Sequence, residues 1–218
     1  YMAAALEEGN VKILKVPTCE EYRTITSPSK QAVAWLSFSP GGEFLIFSSD
    51  PNDIAIFSMR TNKIEKICNE HDQLPEYVSF SHHTCRQIIS CSYKENCVKL
   101  WEFDPKTAKW AVTPNCNLKF RESENKKKSY VVRASFNCDD SNIVAISKNS
   151  IACWNSETKA LISNVSDEVF TDRCTSLAMH PTLPNVAFIG CASGQASIWD
   201  TRRGEIITPL QIDDSLKI

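Results

Sequence analysis

The stretch ASIWDTRRGE, Ala196–Glu205, runs an apolar strand into Trp199-Asp200 and then into a polar segment, Thr201 to Gly204. The same rhythm of apolar, any, apolar, aromatic occurs three more times, as IAIF ending at Phe57, VKLW ending at Trp101 and IACW ending at Trp154. A related strand, VKIL, ends at Leu14. The five ends are separated by 43, 44, 53 and 45 residues. A recurrence of about 40–45 residues is the period of a repeated four-stranded unit. The single long interval holds an insertion.

About 20 residues upstream of each aromatic lies an alternating strand, the length a four-stranded unit leaves for it. These are AWLSFS with Leu36 and Phe38, YVSFS with Val78 and Phe80, VRASFN with Ala134 and Phe136, and TSLAMH with Leu177 and Met179. Alternation places each pair on one face of a sheet. Next come the more continuous apolar runs EFLIFSS, RQIISCS, NIVAIS and NVAFIGC, which suit strands covered on both faces. A fourth strand follows each aromatic, in KIEKI, AKWAV, ALISNV and EIITPL. Helical periodicity is not evident, so an all-β meander is expected, repeated as the blades of a β-propeller. The expected division is 1–30 for the last two strands of a preceding blade and a linker, then blades at 31–76, 77–129, 130–173 and 174–218. The second of these carries an insertion at 111–129. Four complete blades and part of a fifth are half of a larger propeller.

Composition is consistent with a globular chain. Its 218 residues are 42% hydrophobic and 23% charged, enough for a substantial core in one domain. A net charge of -2 argues against strong direct binding to nucleic acid, which needs a concentration of Lys and Arg on one face. No apolar run reaches the ~18 residues that span a bilayer, so a soluble protein without membrane attachment is expected. The ten cysteines include no CxxC pair, and Cys91, Cys97, Cys153 and Cys191 fall in apolar strands, where a thiol behaves as a small hydrophobe. A reducing, intracellular compartment follows as the expectation. The cluster His82, His83 and Cys85 has no partner pair at zinc spacing, and no metal or cofactor is expected.

The pattern is that of the WD repeat, and this resemblance covers nearly the whole chain from Gly9. The signature dipeptide reads Phe57-Ser58, Trp101-Glu102, Trp154-Asn155 and Trp199-Asp200, intact only in the last. The structural relay that the family builds from His, Ser and Trp is matched by His71, Ser90 and Trp101, with Glu95 the nearest acid where an Asp is usual. The relay is therefore expected to be incomplete. More narrowly, the run from Ile64 through WEFDPKTAKW, the insertion, WNSETKALI, DEVF and HPTLPNVAFIGCASGQASIWDTRRGE resembles the propeller of the bromodomain and WD-repeat proteins. Glycine is scarcer than usual at the turns, with six in the chain.

That resemblance implies a nuclear, chromatin-associated scaffold, with histone tails or a cullin-RING ubiquitin-ligase adaptor as partners and, in some members, service as a ligase substrate receptor. A generic WD-repeat assembly subunit, in RNA processing or trafficking, is the alternative. An enzyme is not expected, since no GxSxG, HExxH or glycine-rich phosphate loop is present. Partner-binding candidates are the acidic rim residues Asp72, Glu76, Asp167 and Glu168 and the group Asp200, Arg202 and Arg203. Trp-Asp-x-Arg resembles the ligase docking signal, although the preceding AFIGCASGQ lacks that signal's acid. Four blades leave two blade faces bare, and pairing of two copies into an eight-blade ring is one way to cover them.

Overall fold

A computed structural model of the chain describes residues 1–50, 53–67, 71–83, 85–107, 109–120, 130–166 and 172–210. Among them the regular elements are strands, apart from one 3-10 turn at Glu7–Gly9. The first sheet holds β1 (Met2–Ala5), β2 (Asn10–Leu14) and β3 (Glu21–Thr26). The second holds β4 (Trp35–Phe38), β5 (Phe44–Asp50), β6 (Asp53–Ser58) and β7 (Ile64–Ile67). The third holds β8 (Tyr77–Phe80), β9 (Gln87–Cys91), β10 (Cys97–Asp104) and β11 (Lys109–Lys119). The fourth holds β12 (Val131–Phe136), β13 (Asn142–Ser147), β14 (Ser150–Asn155) and β15 (Leu161–Ser166). The fifth holds β16 (Cys174–Met179), β17 (Val186–Cys191), β18 (Ala196–Asp200) and β19 (Glu205–Leu210). Neighbours in sequence are neighbours in each sheet, so the fold is the all-β, four-stranded meander that the repeat period implies.

The chain divides into two compact units, Tyr1–Glu95 with Lys99–Cys116, and Asn96–Val98 with Asn117–Ile218. Composition alone suggested one domain. Stacked repeats pack chiefly on their immediate neighbours, which leaves few contacts of long sequence range to tie one end to the other.

In the first unit the apolar run of β5 is used on both faces. Leu45 and Phe47 pack with Val11, Ile13, Ala55 and Phe57. Ile46, which points the other way, packs with Ile54, Ile56, Val78, Phe80, Ile88 and Trp101. Each of these three β5 side chains is fully buried, which stabilises the fold by ~1.5–3 kcal/mol apiece. In the second unit Val144, Ile146, Ile151 and Cys153 of the fourth sheet meet Ala187, Ile189 and Trp199 of the fifth. Trp154 faces the opposite way and takes Phe120 edge-on, with ring centroids 5.5 Å apart.

Three expectations are corrected. The first sheet has three strands where two were expected, because β1 pairs with β2 in register from Met2↔Leu14 to Ala5↔Val11. Its sequence, MAAA, has no branched or aromatic residue to announce a strand, and pairing rather than propensity makes it one. The insertion was expected from residue 111, but β11 runs on to Lys119. Its basic run, Lys126 to Lys128, lies outside the described residues. The relay is the third correction and belongs to the site.

Candidate protein-interaction surface

The relay of the third sheet is complete. Trp101 Nε1 donates to Ser90 Oγ at 2.7 Å, and Ser90 Oγ lies 2.6 Å from His71 Nε2. His71 Nδ1 in turn lies 2.9 Å from Glu95 Oε2. One assignment satisfies every atom: the indole N–H donates to the serine, the serine O–H to Nε2, and Nδ1–H to the carboxylate. Glu95 takes the place of the missing Asp, and its longer stem lets the carboxylate also accept from the backbone N–H groups of Asp72 at 2.8 Å and Gln73 at 3.3 Å. Lys99, itself buried, approaches it at 3.4 Å. Burial pushes the Glu95 carboxyl up, but the hydrogen bond and field of His71, the Lys99 charge and the Asp72 N–H outweigh it and bring it to about 2. Glu95 was named in sequence as the nearest acid but not as completing the relay, because the expected acid is an Asp, and Lys99 was missed because a strand lysine reads as exposed.

The signature dipeptide survives as chemistry where it has changed as letters. Asp200 Oδ1 accepts from the N–H groups of Arg202 and Arg203 at 3.0 and 2.9 Å, and Asn155 Oδ1 accepts from Glu157 and Thr158 at 3.0 and 2.7 Å. Ser58 Oγ accepts from Thr61 N–H at 3.2 Å. The second member of the pair is thus a turn cap, for which any short side-chain acceptor serves. In the third sheet β10 is longer, and the cap moves two residues on to Asp104, which holds Lys106 N–H at 2.8 Å. Three of the turns close with a left-handed residue, Asn62, Lys159 or Gly204, whose N–H returns to the first residue's carbonyl.

The Asp200 turn borders an open cleft of about 490 Å³ inside the second unit. Its polar lining is Asp139, Ser141, Asn142, Asn155, Asn185 and Arg202, with Ile162 and Pro184 supplying apolar surface. Asn137, fully buried at the end of β12, holds its floor: the amide Nδ2 donates to Pro184 O at 3.0 Å and to Ser141 Oγ at 3.1 Å, and Oδ1 accepts from Asn142 N–H at 3.0 Å. Ser163 Oγ donates to Thr201 O at 2.5 Å. Asp139 accepts from Ser141, which holds its carboxyl below the usual range against the opposing effect of partial burial. Asn185 spends its backbone carbonyl on Thr201 N–H and Oγ1, and among the described residues its side-chain amide makes no bond. The same is true of the Arg202 guanidinium, whereas Arg203 Nε lies 3.9 Å from Asp200 Oδ2.

The structure therefore brings Asp200, Arg202 and Arg203 into one turn, with only Arg202 on the cleft. Asp72 and Glu76 lie in the segment before β8 with exposed side chains, and their backbones serve Glu95 and Cys91 O. Asp167 and Glu168 fall outside the described residues. His82 and His83 are exposed, and among the described residues no three His, Cys, Asp or Glu are placed to hold a metal ion. His180 Nδ1 accepts from the N–H groups of Thr182 and Leu183 at 3.1 and 3.0 Å, so its proton sits on Nε2 and it caps a turn. Of the described thiols, Cys91, Cys97, Cys153 and Cys174 are buried and unbridged; burial pushes Cys153 up to about 12. Cys19 is exposed.

No protein-family model matches this sequence, and no curated protein matches it. Among solved structures, the fold is similar to a chain in the crystal structure of the mitotic checkpoint complex, with a TM-score of 0.74 over 95% of this chain at 14% identity. The chain spans 61% of that neighbour's length. The similarity is one of fold, that of a partial β-propeller built from four-stranded antiparallel sheets.

Proposed function

We propose that this chain is a non-catalytic protein-interaction scaffold. The observation that carries the reading is how the polar residues are used. His71, Glu95 and Lys99, the groups best suited to proton chemistry, are enclosed in one sheet's hydrogen-bond network, while unspent polar groups gather on a cleft formed by turns. Turns of a rigid sheet scaffold are where such folds place their binding residues. The finer reading is a nuclear, chromatin-associated module, resting on the resemblance to bromodomain and WD-repeat propellers. The exposed acids Asp72 and Glu76 then face basic tails such as those of histones, and Arg202 is the contact for a cullin-RING ligase adaptor.

The test uses purified mononucleosomes and a purified ligase adaptor, each offered to the immobilised chain at moderate salt. Retention of nucleosomes that weakens when Asp72 and Glu76 are both changed to Lys supports the chromatin reading; no retention overturns it. Adaptor binding unchanged in Arg202→Ala removes the docking role. The alternative is an assembly subunit of a complex unrelated to chromatin; the fold neighbour, a chain of a multi-protein complex, is compatible with either reading.

A second copy of the chain is proposed as the cover for the fifth sheet. Ile46 and Val144, each one residue beyond the partner of its sheet's aromatic, are fully buried against the next sheet. The equivalent Phe188 of the fifth sheet is 37% exposed. Ile207 at 53% and Leu210 at 40% extend the apolar area along β19. What covers such positions within the chain is another sheet of this kind, and a second copy offers one.

A further inference from the structure

We infer that the cleft bordered by Arg202 binds an extended peptide segment carrying one anionic side chain, which pairs with the Arg202 guanidinium while the neighbouring side-chain amides hold the peptide backbone. This rests on the scaffold reading and names the chemistry that its cleft selects.

The fold has already used part of the hydrogen-bonding capacity that lines the cleft. Asn155 lines the cleft with its Oδ1 engaged by Glu157 N–H, Thr158 N–H and Thr158 Oγ1, so what remains to it is the amide donor. The side chains of Asn142 and Asn185, both half-buried, make no hydrogen bond among the described residues. Arg202 contributes up to five further donors in a planar fork, because its backbone, not its guanidinium, is what the Asp200 cap holds. The unspent groups of the cleft are weighted toward donors, and the ligand must be rich in acceptors. Backbone carbonyls in an extended strand present acceptors at regular intervals, and side-chain amides are well suited to them. A carboxylate or phosphate is the acceptor that matches a guanidinium in bidentate geometry.

The remaining lining narrows the ligand. Asp139 is ionised and stands in the same cleft, which disfavours a run of acids and favours a single one. Ile162, 39% exposed, and Pro184 give a small apolar contact for a neighbouring side chain. Rigidity is supplied beneath: the Asn137 amide ties the turn before β13 to the turn before β17, so the donors are held in place before a ligand arrives. The turn at Arg60 matches Arg202 in sequence but does not line this cleft, and it serves as an internal control.

The experiment selects peptides from a random phage-displayed library on the immobilised chain and measures synthetic versions of the winners by fluorescence anisotropy. Expected is a pool with Asp or Glu fixed at one position. Arg202→Glu weakens binding at least tenfold, Arg202→Lys weakens it less, Asn185→Ala weakens it several-fold, and Arg60→Glu leaves it unchanged. Changing the fixed acid of the peptide to its amide abolishes the sensitivity to Arg202→Glu. Paired peptides bearing Glu or phosphoserine at that position decide which anion is preferred. Winners that bind Arg202→Glu as tightly as the parent, winners rich in Lys, or an empty selection would each overturn the proposal. The scaffold reading is judged separately, by the folded partners offered above. Circular dichroism of each variant, with an unchanged melting midpoint, ensures that a loss of binding is a loss at the cleft.

Discussion

Ser48 is fully buried in β5, and its hydroxyl has no hydrogen-bond partner among the described residues. An unmet buried hydroxyl costs ~1–3 kcal/mol, so Ser48→Ala is expected to be neutral or to raise stability by up to ~1 kcal/mol in urea denaturation. Glu95 behaves oppositely. Its carboxyl falls from an ordinary 4.5 to about 2 on folding, so its contribution is present in full above the unfolded value. That contribution, of the order of 2 kcal/mol after allowance for solvent screening, is lost as pH falls from about 4.5 toward 2. The urea midpoint of the parent should decline through that window, and that of Glu95→Gln should be lower at neutral pH and flatter. Thiols give a third expectation: iodoacetamide at pH 8 labels Cys19 and spares Cys153 until the chain unfolds, as mass mapping will show. His71, Ser90 and Trp101 were legible because their spacing follows the repeat. Glu95 was not, since its role depends on a carboxylate reaching across a turn to Nδ1 and two N–H groups, which no spacing rule encodes.

At the scale of elements, the turn after each aromatic strand is a unit of its own. Gly204 has φ +71°, and a Cβ there would stand 2.7 Å from Val165 Cγ2. Gly204→Ala is therefore expected to cost ~2–3 kcal/mol, combining left-handed strain with a clash, and to lower the melting midpoint. Asn62 and Lys159 hold the same conformation in the second and fourth sheets. Asp200→Ala removes the cap alone and should cost about 1 kcal/mol, while Asp200→Asn, which keeps the acceptor, should cost less. Read as letters, three of four signature pairs looked lost; read as acceptors, Ser58, Asn155 and Asp200 do one task. The edge strand β1 was the least legible element, having no pattern of its own, whereas β19, exposed at every position, was read as EIITPL because the repeat calls for a fourth strand.

At the scale of the whole molecule, each four-stranded sheet repeats the plan of the last, and among the described residues the fifth sheet leaves Phe188 exposed where its counterparts are buried. Val144→Asp places a charge in a dry contact between sheets and should unfold the protein at 25 °C or cost at least ~3 kcal/mol. Phe188→Asp, at the equivalent but open position, should leave the melting midpoint within ~1 kcal/mol of the parent. If a second copy covers that face, light scattering at micromolar concentration gives a dimer for the parent and a monomer for Phe188→Asp. A monomeric parent would end that reading. The sequence by itself determined the class, the four-strand period and the buried aromatics Phe57, Trp101, Trp154 and Trp199, because periodicity and burial are local consequences of which residues must leave water. Only the tertiary structure decided that Glu95 completes the relay, that the chain forms two compact units, and that Asn142, Asn155, Asn185 and Arg202 line one cleft. Those residues come from turns up to 60 positions apart, and what brings them together is the packing of one sheet on the next.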